Sequence, residues 1–250
     1  MTLSVVVITR NGARVIGRCL ESAAWADETI VLDSASEDGT TDIARRLGAK
    51  VEITADWPGF GLQKNRALAL ATGDWVLSLD ADEWVTPELR AEIERVLAAP
   101  HGNAAFKMPR RSSYCGRFMR HSGWWPDHVT RLLRSGQARF SDDLVHERLI
   151  VNGAVGTLRE PLLHEAIRDL DEALTKMNAY STAGALMQLK RGRNATLADA
   201  VWHGVWTFFR TYVLRAGFLD GREGFLLAVS NAEGAYYRYL KLMLLAEQKK

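Results

Sequence analysis

Only two of the 250 residues are cysteine, Cys19 and Cys115. They stand far apart and outside any Cys-x-x-Cys spacing, which argues against a disulfide framework or a zinc knuckle and fits a reducing cytosol. Proline is scarce, six residues, and no stretch gathers it with glycine and serine into a linker or low-complexity tract. No uncharged apolar run approaches the roughly 18 residues that a spanning helix needs, since Arg210, Arg215, Glu233 and Arg238 interrupt the C-terminal candidates. The run from Leu3 to Ile8 is too short for a signal-peptide core and reads as a buried strand. These absences together suggest a soluble or peripheral protein. An excess of one charge is also missing: 32 basic against 30 acidic side chains leave +2, which gives no bulk affinity for nucleic acid. What remains is an average globular composition, 47% hydrophobic and 25% charged, in a length that supports one large domain or a domain with an appendage. Charge is unevenly spread, however. Residues 106–140 hold eight Lys/Arg against Asp127 alone, a net +7 that could face something anionic.

The first hundred residues alternate short apolar runs with helical patterns, the sequence form of a parallel α/β sheet. Strands are expected at Leu3–Ile8, Thr29–Leu32, Val51–Thr54 and Trp75–Leu79, with helices between them. Thr86-Pro87 reads as an N-cap followed by proline in the first turn of a helix that runs to about Leu97. Past Pro100 the period changes. Ala104–Met108, Val129–Arg134 and Leu144–Val151 look like strands, so the sheet is expected to become mixed. From Asp169 onward the pattern is helical, with Leu170, Ala173, Leu174, Met177 and Ser181 on one face, and two more helical stretches follow at about 196–216 and 224–246. A soft boundary is expected near residue 166, dividing a catalytic domain, 1–166, from a helical region, 167–250.

Leu79-Asp80-Ala-Asp82-Glu83 follows directly on a buried strand. In an extended segment Asp80 and Asp82 project the same way, into the crevice at the carboxyl end of the sheet. Two such carboxylates need a counter-charge, and oxygen ligands favour a hard divalent cation, Mg²⁺ or Mn²⁺, completed by phosphate oxygens. A solvated acidic turn is the plainer reading of the same residues. Asp33 ends the second strand, where a carboxylate can accept an N–H from a nucleobase, and Thr9, ending the first, can add a polar contact. Asp/Ser/Gly runs such as 33–40 are equally ordinary turn chemistry. Glycines at 59 and 61 precede a helix whose first turn carries Lys64, a cation able to meet a diphosphate or simply an exposed lysine.

These pieces in this order resemble the family-2 glycosyltransferases with the GT-A fold. The likeness lies in Val5-Val-Val-Ile-Thr9-Arg-Asn11, Val31-Leu-Asp33-Ser-Ala-Ser-Glu-Asp38-Gly39-Thr40, Gln63-Lys64-Asn65-Arg66-Ala67 and Asp74-Trp75-Val-Leu-Ser-Leu-Asp80-Ala-Asp82-Glu83. It implies a mixed, Rossmann-like sheet with flanking helices and a UDP-sugar donor. Thr9 and Asp33 would hold the uracil end, Asp80 would lie near the ribose, and Asp82, with Asp80, would take the metal. Lys64 and Asn65 belong to the donor-binding set.

The second half extends the likeness towards bacterial lipopolysaccharide-core glucosyltransferases. It does so through Arg131-Leu-Leu-Arg134, Leu144-Val145-His146-Glu147, Leu162-Leu163-His164-Glu165, Lys176-Met-Asn178-Ala-Tyr180-Ser181 and Gly217-Phe-Leu-Asp220-Gly221-Arg222. By that similarity His164 is a third metal or diphosphate contact, although a lone histidine after apolar residues is also a common core residue. Inversion, the family's outcome, needs a base opposite the diphosphate; Glu147 is the first choice and Asp143 the alternative. The acceptor implied is a lipid-anchored glycan. Aromatic and basic residues interleaved on the C-terminal helices then suit an anionic membrane surface, with the protein peripheral at the inner face of the cytoplasmic membrane, while a helix pair packed on the catalytic core is the competing reading.

Overall fold

Seven consecutive buried residues, Leu3–Thr9, form strand β1, and their alternation decides what lies on each side of the sheet. Val5 and Val7 face Ile16 and Leu20 of helix α1 (Ile16–Ala23), whereas Val6 and Ile8 share the opposite core with Ile30, Leu32 and Ala67. A strand covered on both faces reads as a continuous apolar run, which is why this one shows no period-two pattern in the sequence. The computed structural model describes residues 1–99, 102–141 and 148–248. By internal contact the chain divides into two units, Met1–Arg110 with Asp127–His164, and Arg111–Pro126 with the chain from Glu165 onward. The second therefore adds an internal stretch, 111–126, to the C-terminal region.

In the first unit the elements continue as β2 (Glu28–Asp33), α2 (Thr40–Arg46), β3 (Lys50–Ile53), α3 (Phe60–Leu70), β4 (Trp75–Asp80), β5 (Glu83–Val85) and α4 (Pro87–Ala98). Thr86 caps α4 as its sequence predicts, accepting the Leu89 N–H at 3.1 Å. Along the chain there follow β6 (Asn103–Tyr114), whose end passes into the second unit, β7 (Arg117–Phe118) within that unit, then β8 (Asp127–Arg134), β9 (Ala138–Phe140), β10 (Leu149–Val151) and β11 (Ala154–Thr157) of the first, and β12 (Leu162–Ile167), which again passes into the second. The main sheet runs β3-β2-β1-β4-β8-β6-β12-β5, and β9 and β10 form a separate ribbon. β1 pairs in parallel with β2 and β4, β2 with β3; β8 is antiparallel to β4 and β6, and β12 to β5. The sheet is mixed, as expected from the loss of α/β alternation after Pro100. Of the strand expected over 144–151, residues 149–151 are β10, Arg148 precedes it outside the strand, and 144–147 lie outside the described residues.

Glu28 ties three strands and the entry to β4. Its carboxylate accepts from Ser4 Oγ at 2.7 Å, Lys50 Nζ at 2.7 Å, and Thr72 N and Oγ1 at 3.0 and 3.1 Å. Burial works to raise its pKa, but Lys50 and then the Thr72 and Ser4 bonds carry it from 4.5 down to about 2. Glu28→Gln is accordingly expected to cost about 1–2 kcal/mol at neutral pH. A depressed folded-state pKa contributes stability that is complete above 4.5 and is lost as the pH falls through about 2. Urea unfolding at neutral pH and near the lower value should therefore show the gap between variant and wild type closing in acid. A gap of constant size would assign the loss to packing.

The second unit is built on α5 (Leu170–Lys190), α6 (Leu197–Phe209) and α7 (Gly221–Glu247); a five-residue π-turn, Arg210–Leu214, and a 3₁₀ turn, Gly217–Asp220, join the last two. α7 packs against both of the others. The buried face of α5 is Ala173, Ser181 and Ala185, whereas Leu170 and Leu174, placed on the inner face by their spacing, are exposed. Small residues let α7 approach closely, and Lys241 on it donates to Asn178 Oδ1 at 2.7 Å and Ser181 Oγ at 2.8 Å. Asp220, nearly fully buried, accepts the backbone N–H groups of Arg120 and His121 at 3.1 and 2.8 Å. No helix among the described residues is long and apolar enough to cross a membrane.

Candidate active site

The parallel register brings the candidate donor residues to one edge. Thr9 lies opposite Asp33, and Ile8 opposite Asp80, so β1, β2 and β4 end side by side with their carboxyl termini at the same crevice. Two loops there are stapled together. Asn11 N donates to Ser36 Oγ at 2.7 Å, Ala13 N to Asp38 Oδ2 at 3.0 Å, and Gly12 N to Thr40 Oγ1 at 2.9 Å. Gly12 is required by closeness: a Cβ on it would stand 2.5 Å from Thr9 Oγ1. Asp33, fully buried, accepts from Ser36 N at 2.8 Å. Thr9 Oγ1 is buried and has no hydrogen-bond partner among the described residues, a polar atom that a bound ligand can satisfy.

Asp80 is the centre of a charge cluster. Lys64 Nζ lies 3.0 Å from its Oδ1, and Arg131 pairs with its Oδ2. Burial alone would raise the Asp80 carboxyl, but the Arg131 charge, then that of Lys64, outweighs it and holds the group well below the usual carboxylate range. Burial likewise works against the Arg131 charge, and Asp80 and Glu83 more than reverse it. Glu83, fully buried, accepts from Arg131 at 2.6 Å, from Arg110 at 3.3 Å and, through Oε2, from Asp80 N at 3.1 Å. Arg110 also pairs with Asp127 at 2.7 Å. Two of the eight cations of the basic stretch are thus turned onto acids of their own unit, and its +7 overstates what faces outward. Cys19 lies beneath the cluster. Burial, with Glu83, Asp82 and Asp80 nearby, pushes its thiol well up, which removes it as a nucleophile.

The alternation expected for 80–83 is broken, because β4 ends at Asp80 and residues 81–82 form a turn before β5. Asp80 and Asp82 consequently have different partners. Asp82 Oδ2 lies 3.5 Å from His164 Nε2, which β12 delivers through its pairing of His164 with Glu83 of β5. A carboxylate oxygen and an imidazole nitrogen at that separation suit one divalent cation, since two bonds of about 2.1 Å span up to about 4.2 Å. Among the described residues no group of three or more His, Cys, Asp or Glu forms a complete cage. A hard cation here would take its remaining ligands from phosphate oxygens and water, as such ions commonly do. Both Asp80 oxygens pair with a cation, Lys64 and Arg131, whereas Asp82 and His164 face each other.

Asn65 does not meet the crevice carboxylates. Its amide donates to Phe140 O and accepts from Phe140 N, both at 2.8 Å, and so pins β9 to α3. Glu147 and Asp143 lie outside the described residues. Glu83, Arg110 and Arg131 were not singled out as site residues in the sequence, although Glu83 is adjacent to Asp82 and both arginines stand in the +7 stretch.

A mixed sheet with flanking helices, here followed by a helical C-terminal region, is the GT-A architecture. The structure aligns with Staphylococcus aureus TarS 1–349 in complex with UDP-GlcNAc at a TM-score of 0.51 and 14% identity, over 100% of this chain and 93% of that one. The sequence profile of glycosyl transferase family 2 matches residues 4–162, and the chain belongs to that family. It is 31% identical to an uncharacterized glycosyltransferase of Rickettsia felis over 98% of this chain and 89% of the relative. It is 30% identical to the lipopolysaccharide core biosynthesis glycosyltransferase LpsC of Rhizobium meliloti over 96% of this chain and 90% of that protein.

Proposed function

We propose that this glycosyltransferase moves a sugar, glucose first among the candidates, from a UDP-sugar to a heptose of a lipopolysaccharide inner core, with inversion at the anomeric carbon. The observation that carries the donor half is the convergence of Thr9, Asp33, Lys64, Asp80, Asp82 and His164 at one sheet edge, with a threonine hydroxyl that no described residue satisfies beside a buried aspartate. The acceptor half is supported by the 30% identity to LpsC over nearly the whole of both chains. Transfer to polyprenyl phosphate or another glycan is the alternative.

In this reading Asp33 and Thr9 hold the uracil, and Lys64 offsets diphosphate charge. Asp82 and His164 would hold an Mg²⁺ or Mn²⁺ ion, which would supply positive charge against the departing diphosphate. The acceptor hydroxyl gives its proton to Glu147, or else to Asp143. Its oxygen bonds to the anomeric carbon on the face opposite the diphosphate, and the bond to UDP breaks with the electron pair leaving on the phosphate oxygen. A lipid-anchored acceptor puts the enzyme at a membrane surface, peripheral on the cytoplasmic leaflet.

The test is thermal stabilisation by a panel of nucleotide sugars with and without Mn²⁺. A UDP-sugar at a hundred times its Kd should stabilise the protein by about 2.7 kcal/mol, and more weakly when the ion is withheld. Stabilisation by GDP- or ADP-sugars in place of UDP-sugars would overturn the donor assignment.

A further inference from the structure

We infer that the outer face of α6, together with the turn that follows it, is a membrane-docking surface that inserts into the headgroup region of an anionic bilayer. The reading of a lipid-anchored acceptor gives this surface its purpose, and the surface rests on that reading only there. Leu197, Val201, Trp202, Val205, Trp206 and Phe209 lie on one face of α6, and every one of them is exposed, Trp202 at 64% and Val205 at 60%. Their spacing is the helical one, so they form a continuous stripe. Trp202 and Trp206 stack at 6.4 Å between ring centroids, and Phe209 lies 6.0 Å from Trp206. In the segment that follows the helix Leu214, Phe218 and Leu219 are each more than half exposed as well. An apolar patch of this length is unusual on a protein that stays in water.

Charge chooses the occupant. The stripe carries one acid, Asp199 in the first turn of α6, whose carboxylate is engaged by Thr196 N and Oγ1, both at 2.8 Å; from there to Leu219 the Lys, Arg, Asp and Glu residues are Arg210 and Arg215 alone. Next to that run the Arg222 side chain is 83% exposed while its partner Glu223 is 14% exposed, so the cation is the member turned to solvent. Asp220, the first acid after the run, is buried against the 120–121 backbone. Tryptophan and phenylalanine flanked by arginine match the interface of an anionic leaflet, where rings sit at headgroup depth and guanidinium groups reach the phosphates. A second copy of the chain is the other way to cover the stripe. Two-fold pairing on this face would set arginines against arginines with a single acid, Asp199, already engaged by Thr196, to answer them.

The test uses the full chain and vesicles that contain neither donor nor acceptor, so that its failure is separate from failure of the enzymatic reading. Co-sedimentation should be at least tenfold greater with phosphatidylglycerol vesicles than with phosphatidylcholine vesicles, and brominated lipid should quench tryptophan fluorescence. Trp202→Ser with Trp206→Ser should lower partitioning at least tenfold and remove most of the quenching. Arg215→Ala and Arg222→Ala should each lower binding to the anionic vesicles by about fivefold. All four positions are exposed, and a melting temperature near that of wild type will show that the variants fold. Equal binding to both vesicle types, absence of quenching in the wild type, or partitioning of the double tryptophan variant like wild type would each overturn the inference. So would a lipid-free dimer that the double variant abolishes.

Discussion

Asp82→Asn is expected to lower sugar transfer by about a thousandfold, equivalent to about 4 kcal/mol of transition-state stabilisation, while leaving the melting temperature close to wild type. The two effects separate because Asp82 is 34% exposed and stands in a turn, so its charge is not needed to hold the sheet. In the proposed reaction its role is to hold a divalent ion on the leaving diphosphate, for which an amide oxygen is a much poorer ligand than a carboxylate. His164→Ala should move activity the same way by about tenfold to a hundredfold, because it removes one of two protein ligands. Neither variant should show the extra thermal stabilisation that Mn²⁺ gives the wild type in the presence of a UDP-sugar. Asp82→Asn turning over within threefold of wild type, with both enzymes indifferent to EDTA, would remove the ion from the reaction. Lys64 provides the contrast. It is almost wholly buried against Asp80, so Lys64→Met should lower activity and stability together.

The first hundred residues were legible because each local signal agreed with the next. A doubly buried strand, a turn, an amphipathic helix and a glycine stop recur in order, and the observed β1 to β4 fall within a residue or two of their expected places. The carboxyl edge could be read for the same reason, since parallel pairing puts Thr9, Asp33 and Asp80 in neighbouring positions. What escaped the sequence was tertiary. Period-two reasoning assumed that the chain stays extended through Asp82, but a two-residue turn intervenes, and Asp80 and Asp82 go to different partners. His164 stood out only through the family resemblance, because β5 and β12 are short and pair across almost eighty residues. The basic stretch misled by composition. Charge counting cannot tell an arginine turned inward onto Glu83 from one turned to solvent. On α5 the small residues rather than the leucines proved to be buried, because close approach of α7 selects for size before hydrophobicity.

Glu83→Gln carries the second large effect, this one on stability. Glu83 is fully buried and faces Arg131, Arg110 and the Asp80 N–H. Glu83 and Arg131 are held out of water, Asp80 only in part, and the three charges answer one another, so taking Glu83 away leaves the buried Arg131 charge less compensated where the dielectric is low. The expected loss is about 3–5 kcal/mol, which for a chain of this size lowers the melting temperature by roughly 10 °C. Removing Glu83 and Arg131 together, as Gln and Met, should cost less than the sum of the two single changes, because neither partner is then stranded. Activity should fall in the double variant even if stability recovers, since Asp80 would keep Lys64 but lose the guanidinium that fixes its second oxygen. That split identifies Glu83 as a positioning residue for the donor edge: through Arg131 and its bond to the Asp80 N–H it sets where the strand stops and the Asp82 turn begins. A double variant with full activity would reduce the cluster to a device of stability alone.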